Sequence, residues 1–177
     1  MKIQDLECGD LLLSRDSSDM SQAIQESTGK YSHIAIYLES QVYHATKENG
    51  VIRQKLSDFL TDYGDAVFVY RYPRIDCQQT LANAKKHLGK PYNVSFRPGT
   101  ESFYCSQYIA AILPIFGTIP MRFGDSSQEI SPFWKSYYAK LGVPVPVGQP
   151  GSNPSQLAKS PHLRFLGRLD TAPVDRC

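Results

Sequence analysis

The first half of the chain alternates short apolar runs with turn-forming residues, which is typical of strands joined by tight turns. Leu11 to Ser14 forms a compact apolar run that predicts a buried strand. Ser32 to Leu38 alternates β-branched and aromatic residues, as a strand with two different faces does. The same reasoning predicts strands over residues 41–45, 51–56 and 66–72.

Helical periodicity appears between and after these strands. Residues 16–29 predict a helix that Ser17 or Ser18 caps and Gly29 ends. Further helices are predicted over residues 56–63, 77–88, 105–113 and 133–141, with a short helical turn at 155–158. Because tight turns join neighbouring strands, the pattern favours an α+β fold with an antiparallel sheet.

Composition indicates a folded chain with a substantial core. Hydrophobic residues make up 41% and charged residues 20% of the 177 positions, which suits one domain spanning residues 1–177. Residues 114–177 are predicted to be a less regular C-terminal extension. Nineteen basic and seventeen acidic residues give a net charge of +2, so the balance does not favour a nucleic-acid partner.

Apolar stretches are too short to predict a membrane span. The longest, over residues 109–120, is interrupted by Pro114 and Gly117 and falls short of the roughly 20 residues that a bilayer requires. The first eight residues carry acids where a secretory signal would be apolar. We therefore expect a cytoplasmic protein, with export that needs no cleaved leader left open.

Four cysteines occur at spacings that do not predict a metal site. Cys8, Cys77, Cys105 and Cys177 form no CxxC pair and none has a histidine at zinc-finger spacing. A chain with a full core does not need disulfides, so we expect reduced thiols, with Cys8 and Cys77 acting as buried packing residues. No metal or other cofactor is predicted.

Cys105 is the strongest candidate for chemistry. A short aromatic segment precedes it and an apolar helical run follows, which places the thiol at a helix N-terminus. The dipole and free N–H groups at that position favour a thiolate. A reactive cysteine also needs a base, and histidine is the usual one.

His33 and His44 are the candidate base and its orienting partner. If Glu39 and Ser40 form a two-residue hairpin loop, Ala35 faces His44 and both histidines lie on one face of the sheet. The diagonal separation would then be about 7–8 Å between Cα atoms, close enough for the rings to interact.

Other polar residues are weaker candidates. Glu39 and Glu48 are fallback orienting groups, because each lies at a strand end or a turn. His87 and His162 are predicted to be surface residues. Cys105 and His33 could also be structural residues, a buried cysteine at a helix start and a hydrogen-bonded histidine at a strand end.

Five segments in this order resemble the circularly permuted NlpC/P60 superfamily, and within it the YiiX/YebB-like papain-like amidases. The resemblance covers roughly residues 7 to 113, with a weaker likeness in residues 153–163. Its motifs are Gly9–Leu12, Thr28–Tyr37, Val42–Ala45, Gly89–Tyr92 and Phe103–Gln107.

The resemblance implies a permuted papain-like α+β core in which the histidine strands precede the cysteine helix. It implies Cys105 as the nucleophile and His33 as the general base. The third catalytic residue, which orients the general base, is often a glutamate in this group, whereas relatives that resemble lecithin retinol acyltransferase have a histidine there. His44 occupies that position here, which blurs the boundary between amidase and acyltransferase.

Three functions therefore remain open at this point. The first is a thiol hydrolase that cleaves an amide or peptide bond through an acyl-enzyme on Cys105. The second is an acyltransferase or lipid-acyl hydrolase that uses the same residues on an acyl lipid. The third is a binding module without catalytic activity, since a fold alone does not establish an activity.

Overall fold

The computed structural model describes residues 1–171, and at residue 65 the backbone alone. Cys177 lies outside the described residues. The described strands are β1 (Leu11–Ser14), β2 (His33–Leu38), β3 (Gln41–Thr46), β4 (Gly50–Lys55), β5 (Phe68–Arg71), β6 (Ile119–Pro120), β7 (Pro150–Gly151) and β8 (Arg164–Arg168). The described α-helices are α1 (Asp19–Thr28), α2 (Leu56–Tyr63), α3 (Cys77–Lys86), α4 (Cys105–Ile112), α5 (Pro132–Leu141) and α6 (Pro154–Ala158).

Six strands form one antiparallel sheet in the order β4-β3-β2-β1-β5-β8. Strands β1 to β4 are neighbours both in the sequence and in the sheet, with short turns between β2 and β3 and between β3 and β4 and helix α1 between β1 and β2. Short strands β6 and β7 pair separately. The predicted α+β class with an antiparallel sheet is confirmed.

A two-residue turn sets the register of the β2–β3 hairpin. Glu39 and Ser40 both have positive φ, 50° and 60°, which is the backbone of a type I′ turn. Leu38 then pairs with Gln41, and Ile36 with Tyr43. The predicted loop length is confirmed, and with it the register that brings His33 and His44 to one face.

Helix α4 packs against β2 and β3 on one side of the sheet. The side chains of β2 that face it are apolar, and they share a core with the inward face of the helix. Fully buried members of this core include Ile34, Ile36, Tyr108, Ile109 and Ile112.

The opposite face of the sheet is covered by α2. Ala35 and Val42 join Phe59 in a second buried cluster. The strand β2 is thus buried on both sides, and successive residues belong to different cores. The alternation that was read from the sequence is confirmed.

Residues 114–171 complete the sheet and one wall of the molecule. Strand β8 pairs with β5 at the sheet edge, where no strand was predicted from the sequence. Helix α5 contributes Trp134 and Tyr138 to a third cluster that also contains Phe96 and Tyr104. Among the described residues, no helix is long and apolar enough to cross a membrane.

Cys8 and Cys77 form a disulfide, so the expectation of reduced, separate packing residues was wrong. The turn before β1 and the first residue of α3 come together although 69 positions separate them in sequence, with Cα atoms 6.2 Å apart. Cys105 is the free cysteine among residues 1–171.

Reduction of this disulfide is expected to destabilise the protein. Closing a loop of this length restricts the unfolded chain, so its loss should lower the free energy of unfolding by about 4 kcal/mol. Thermal denaturation with and without dithiothreitol measures the effect. The Cys8→Ser/Cys77→Ser double variant is the control, because its melting temperature should not respond to the reductant. An equal melting temperature for the wild-type protein in both buffers would contradict the disulfide.

Candidate active site

The Cys105 thiol lies at the first residue of α4, as predicted. Its Sγ lies 3.9 Å from the carbonyl oxygen of Ser32. The backbone N–H of Ile34 also donates towards the sulfur. The thiol is therefore held against the two chain neighbours of His33, at the point where β2 begins.

Local contacts fix the segment that leads into β2. Ser21 of α1 and Ser32 share a hydrogen bond of 2.5 Å between their hydroxyl groups. The backbone N–H of Tyr31 donates to Ser155 Oγ at the start of α6. Helices from both ends of the described chain thus hold the segment that faces Cys105.

The His33 ring emerges on the α2 side of β2. It stacks on Tyr63 with ring centroids 4.4 Å apart and an interplanar angle of 9°. The nearby thiol contributes to a raised pKa of the Tyr63 hydroxyl, after burial as the larger cause. Among the described residues, no hydrogen bond joins Cys105 Sγ to His33 directly. Such contacts commonly tighten only when substrate is bound.

His44 meets His33 as predicted. His33 Nε2 and His44 Nδ1 are 2.8 Å apart, and both rings are buried. His44 Nε2 lies 2.5 Å from Gln54 Oε1, and the amide of Gln54 donates to Asp62 Oδ2 at 3.3 Å. A continuous chain of hydrogen bonds therefore runs from His33 to a carboxylate at the protein surface.

This chain determines which ring nitrogens carry protons. A carboxylate only accepts, so the Gln54 amide nitrogen faces Asp62 and its oxygen accepts from His44 Nε2–H. Neutral His44 then has a lone pair on Nδ1, which accepts from His33 Nε2–H. The lone pair of neutral His33 is left on Nδ1, the ring atom that is available to accept a thiol proton.

Gln54 and Asp62 were missed from the sequence, although the position of Gln54 follows from the β3–β4 hairpin; Asp62 lies on α2. In the β3–β4 register Gln54 pairs with Val42 and projects to the same face as His44. Of the two fallback candidates, Glu48 is outside this hydrogen-bond chain but lines a cavity together with His33. Glu39 accepts hydrogen bonds from Lys85 and Tyr43 on the far end of the hairpin.

The two other histidines take no part in this cluster. His162 is exposed, as expected. His87 was expected at the surface, but it is half-buried and its ring packs on Phe103 at 4.7 Å between centroids. The three-residue turn after α3 folds it back onto the core.

Burial controls the protonation of the site at neutral pH. It raises the pKa of the Cys105 thiol to about 11, although the N–H groups of Ile34, Ser106 and Cys105 act in the opposite direction. The donors at the helix start thus favour the thiolate, as expected, but the loss of hydration has the larger effect. Burial also holds the pKa of His33 well below 6.5, with a smaller contribution from His44.

Two cavities adjoin the thiol and the imidazole. The first, here the apolar cavity, encloses about 550 Å³ including its open mouth and has Cys105 in its wall. Its lining is largely apolar, with Ile24, Tyr92, Phe96, Tyr104, Ile119, Met121, Phe123 and Trp134. The second, here the polar cavity, has His33 in its wall and includes Asp16, Lys47, Glu48 and Tyr63.

The C-terminal segment forms one wall of the apolar cavity and is tied to the start of α4. The backbone N–H of Ser152 donates to Tyr104 Oη at 3.1 Å. Its hydroxyl donates to Ser106 at 3.0 Å. Residues on either side of Cys105 thus anchor the segment that follows β7.

Comparison with known proteins identifies the family of this arrangement. A permuted papain-like amidase family, YaeF/YiiX or C92, matches residues 5–167. The chain belongs to this family. Its predicted permuted papain-like fold and its kinship with YiiX are confirmed, and the family to which it belongs is one of papain-like amidases.

Two relatives illustrate the similarity. The chain is 24% identical to the uncharacterized protein YiiX of Escherichia coli (strain K12), over 90% of this chain and 85% of that protein. It also resembles the crystal structure of the metalloprotein YiiX from Escherichia coli O157:H7. That similarity has a TM-score of 0.77 at 21% identity and covers 92% of this chain and 97% of the other.

The pKa of His44 gives a test of this buried geometry. Burial lowers it from 6.5 to about 4, so the unfolded chain binds a proton in that range that the folded protein does not. Stability should therefore fall as the pH drops from 6.5 towards 4, by about 2 kcal/mol between pH 7 and pH 4.5.

Urea denaturation across this range measures the contribution. His44→Gln should lose that part of the pH dependence, whereas the exposed control His162→Gln should keep it. A wild-type dependence that His44→Gln leaves unchanged would show that His44 is not held neutral.

Proposed function

We propose that this protein is a cysteine amidase in which Cys105 is the nucleophile, His33 the general base and His44 the residue that orients His33. The observation that carries the proposal is the hydrogen-bond chain from His33 through His44 and Gln54 to Asp62. A general base needs a defined tautomer and a fixed ring orientation, and this chain of hydrogen bonds supplies both.

The reaction begins from a neutral pair, because the pKa of Cys105 is high and that of His33 is low. The thiol proton moves to His33 Nδ1 as the sulfur attacks the substrate carbonyl carbon. The imidazolium that forms donates its Nε2–H to His44, whose ring dipole stabilises the charge. A buried neutral base with a nearby carboxylate at the end of its relay suits this step.

Collapse of the tetrahedral intermediate breaks the carbon–nitrogen bond. His33 Nδ1–H transfers its proton to the leaving amine, and the acyl group stays on Cys105 as a thioester. Water, deprotonated by His33, then hydrolyses the thioester and returns the thiol. The backbone N–H of Cys105, at the first residue of α4, is a donor for the oxyanion.

Each step of the proposed mechanism is assigned to side chains and backbone groups of this chain. The related YiiX structure is described as a metalloprotein. Among the described residues of this chain, no three His, Cys, Asp or Glu side chains cluster in a way that could hold a metal ion.

Acyl transfer is a second candidate function, and the apolar cavity favours it. The wall around Cys105 is largely apolar and aromatic, which suits a hydrocarbon acyl group. A histidine in the orienting position is also the feature that resembles acyltransferases. Peptide amides and acyl lipids both remain candidate substrates.

The cytoplasmic location and the wider NlpC/P60 kinship remain predictions.

Substitution of the three residues tests the amidase proposal. Cys105→Ala and His33→Ala should each reduce hydrolysis of acyl-anilide substrates by at least about 10³-fold, because nucleophile or base is lost. His44→Ala should cost less, about 10²-fold in kcat, since the base remains but is not oriented. The exposed His162→Gln is the control. Retained turnover by Cys105→Ala would overturn the proposal.

Mass spectrometry of the intact protein separates acyl transfer from hydrolysis. A long-chain acyl donor, such as a phosphatidylcholine, should leave an acyl group on Cys105 that an added amine removes if the protein is a transferase. The Cys105→Ala variant controls for adducts at other sites. Rapid turnover of anilides with no acyl adduct from any lipid donor would count against transfer.

A further inference from the structure

Positive charge lies at the mouth of the apolar cavity. Arg122 follows the buried Met121 in the wall, and its own side chain is exposed. Arg122 also lines an outer groove that contains Lys159, together with Asn153 and Gln156. The cavity and the groove share several wall residues, so the groove continues the cavity towards solvent.

These cations have no acidic partner in the described part of the chain. No Asp or Glu lines the apolar cavity or the outer groove. No ion pair joins Arg122 or Lys159 to a described residue, in contrast to Arg71, which is paired with Glu7 and Asp10. A guanidinium next to an apolar cavity presents a planar set of donors that suits an oxyanion.

The polar cavity on the other side has the opposite character. Asp16 and Glu48 line it, with Lys47 as the cation in its wall. The two cavities meet at Ile24, Ser32 and Tyr92, which line both. Charge therefore changes sign along the cleft that passes between Cys105 and His33.

Chemistry fixes which part of a substrate faces each side. The acyl group bonds to Cys105 Sγ and remains in the cavity that contains this residue. The leaving nitrogen takes its proton from His33, so the leaving amine lies towards the polar cavity. The cations consequently face the acyl half of the substrate.

On the basis of the proposed function, we propose that the substrate is an amide whose acyl half has an apolar portion ending in a carboxylate, and that Arg122 binds this carboxylate. Lys159 strengthens the binding through its charge. The free end of a dicarboxylic monoamide carries such a carboxylate, as does an Asp or Glu side chain in the acyl half of a peptide. Arg122 is then a specificity-determining residue.

Paired substrates test this assignment. The probes are p-nitroanilides of dicarboxylic acids of four to eight carbons, each compared with its ω-methyl ester and its ω-phosphonate analogue. The wild-type protein should favour at least one carboxylate over its ester by about tenfold in kcat/KM. Arg122→Gln should bring that ratio close to one, and Lys159→Gln should lower it by about threefold.

Arg74→Gln is the matched control, because Arg74 is an exposed arginine outside all three sites. It should leave the ratio unchanged. Equal rates on acid and ester in the wild-type protein, or an unchanged ratio in Arg122→Gln, would overturn the proposal. A stronger preference for the phosphonate would overturn the choice of a carboxylate.

Alkylation of Cys105 gives a readout that does not require turnover. Site-resolved mass spectrometry compares its rates with 6-maleimidohexanoic acid and with the methyl ester of that reagent. The acid should react several-fold faster in the wild-type protein, and Arg122→Gln should abolish that preference. Equal rates of alkylation by the acid and the ester would refute the role of Arg122 and leave the role of Cys105 as nucleophile unaffected. Failure of Cys105 to react with either reagent would instead count against its role as nucleophile.

Discussion

The site depends on β2 being buried on both faces. Its even-numbered residues, Ile34 and Ile36, pack against α4, while Ala35 belongs to the cluster beneath α2. This arrangement brings the helix that carries Cys105 to one side and the His33 ring to the other. A slip of β2 by one residue would exchange its faces and move His33 into the α4 core, away from His44. The Cys105 thiol and the His33 imidazole therefore approach β2 from opposite faces of the sheet.

Burial keeps the histidines of the relay neutral and also opposes ionisation of the Cys105 thiol. The same loss of hydration that keeps both imidazoles neutral raises the pKa of Cys105. In the proposed mechanism the reaction accordingly begins with two uncharged groups, and charge develops only as the carbonyl is attacked. A relay that ends at the exposed Asp62 places the compensating negative charge where water can solvate it.

Local signals explain why much of the fold and site was predictable from sequence. The two-residue turn at Glu39 and Ser40 defines the hairpin register, and this register places His33 beside His44. The helix start at Cys105 follows from the change of apolar period at that residue. These features depend on neighbours a few positions apart, which a sequence displays directly.

Features that depend on distant neighbours could not be read in this way. The disulfide joins residues 69 positions apart, and neither cysteine has a local motif that names its partner. Strand β8 has a mostly exposed burial pattern, so it lacks the alternation that reveals a strand. The raised pKa of Cys105 reflects packing by the whole cleft, whereas the sequence shows only the helix start.

The division of the chain has an evolutionary consequence. All residues of the proposed relay lie before residue 113, whereas Ile119, Met121, Phe123 and Trp134 of the apolar wall, and Arg122 at its mouth, come later. Mutations in the later segment can therefore reshape what the cleft admits while leaving the proton relay intact. Relatives that share this scaffold can therefore change substrate through mutations in the later segment, while the residues of the proposed relay stay the same.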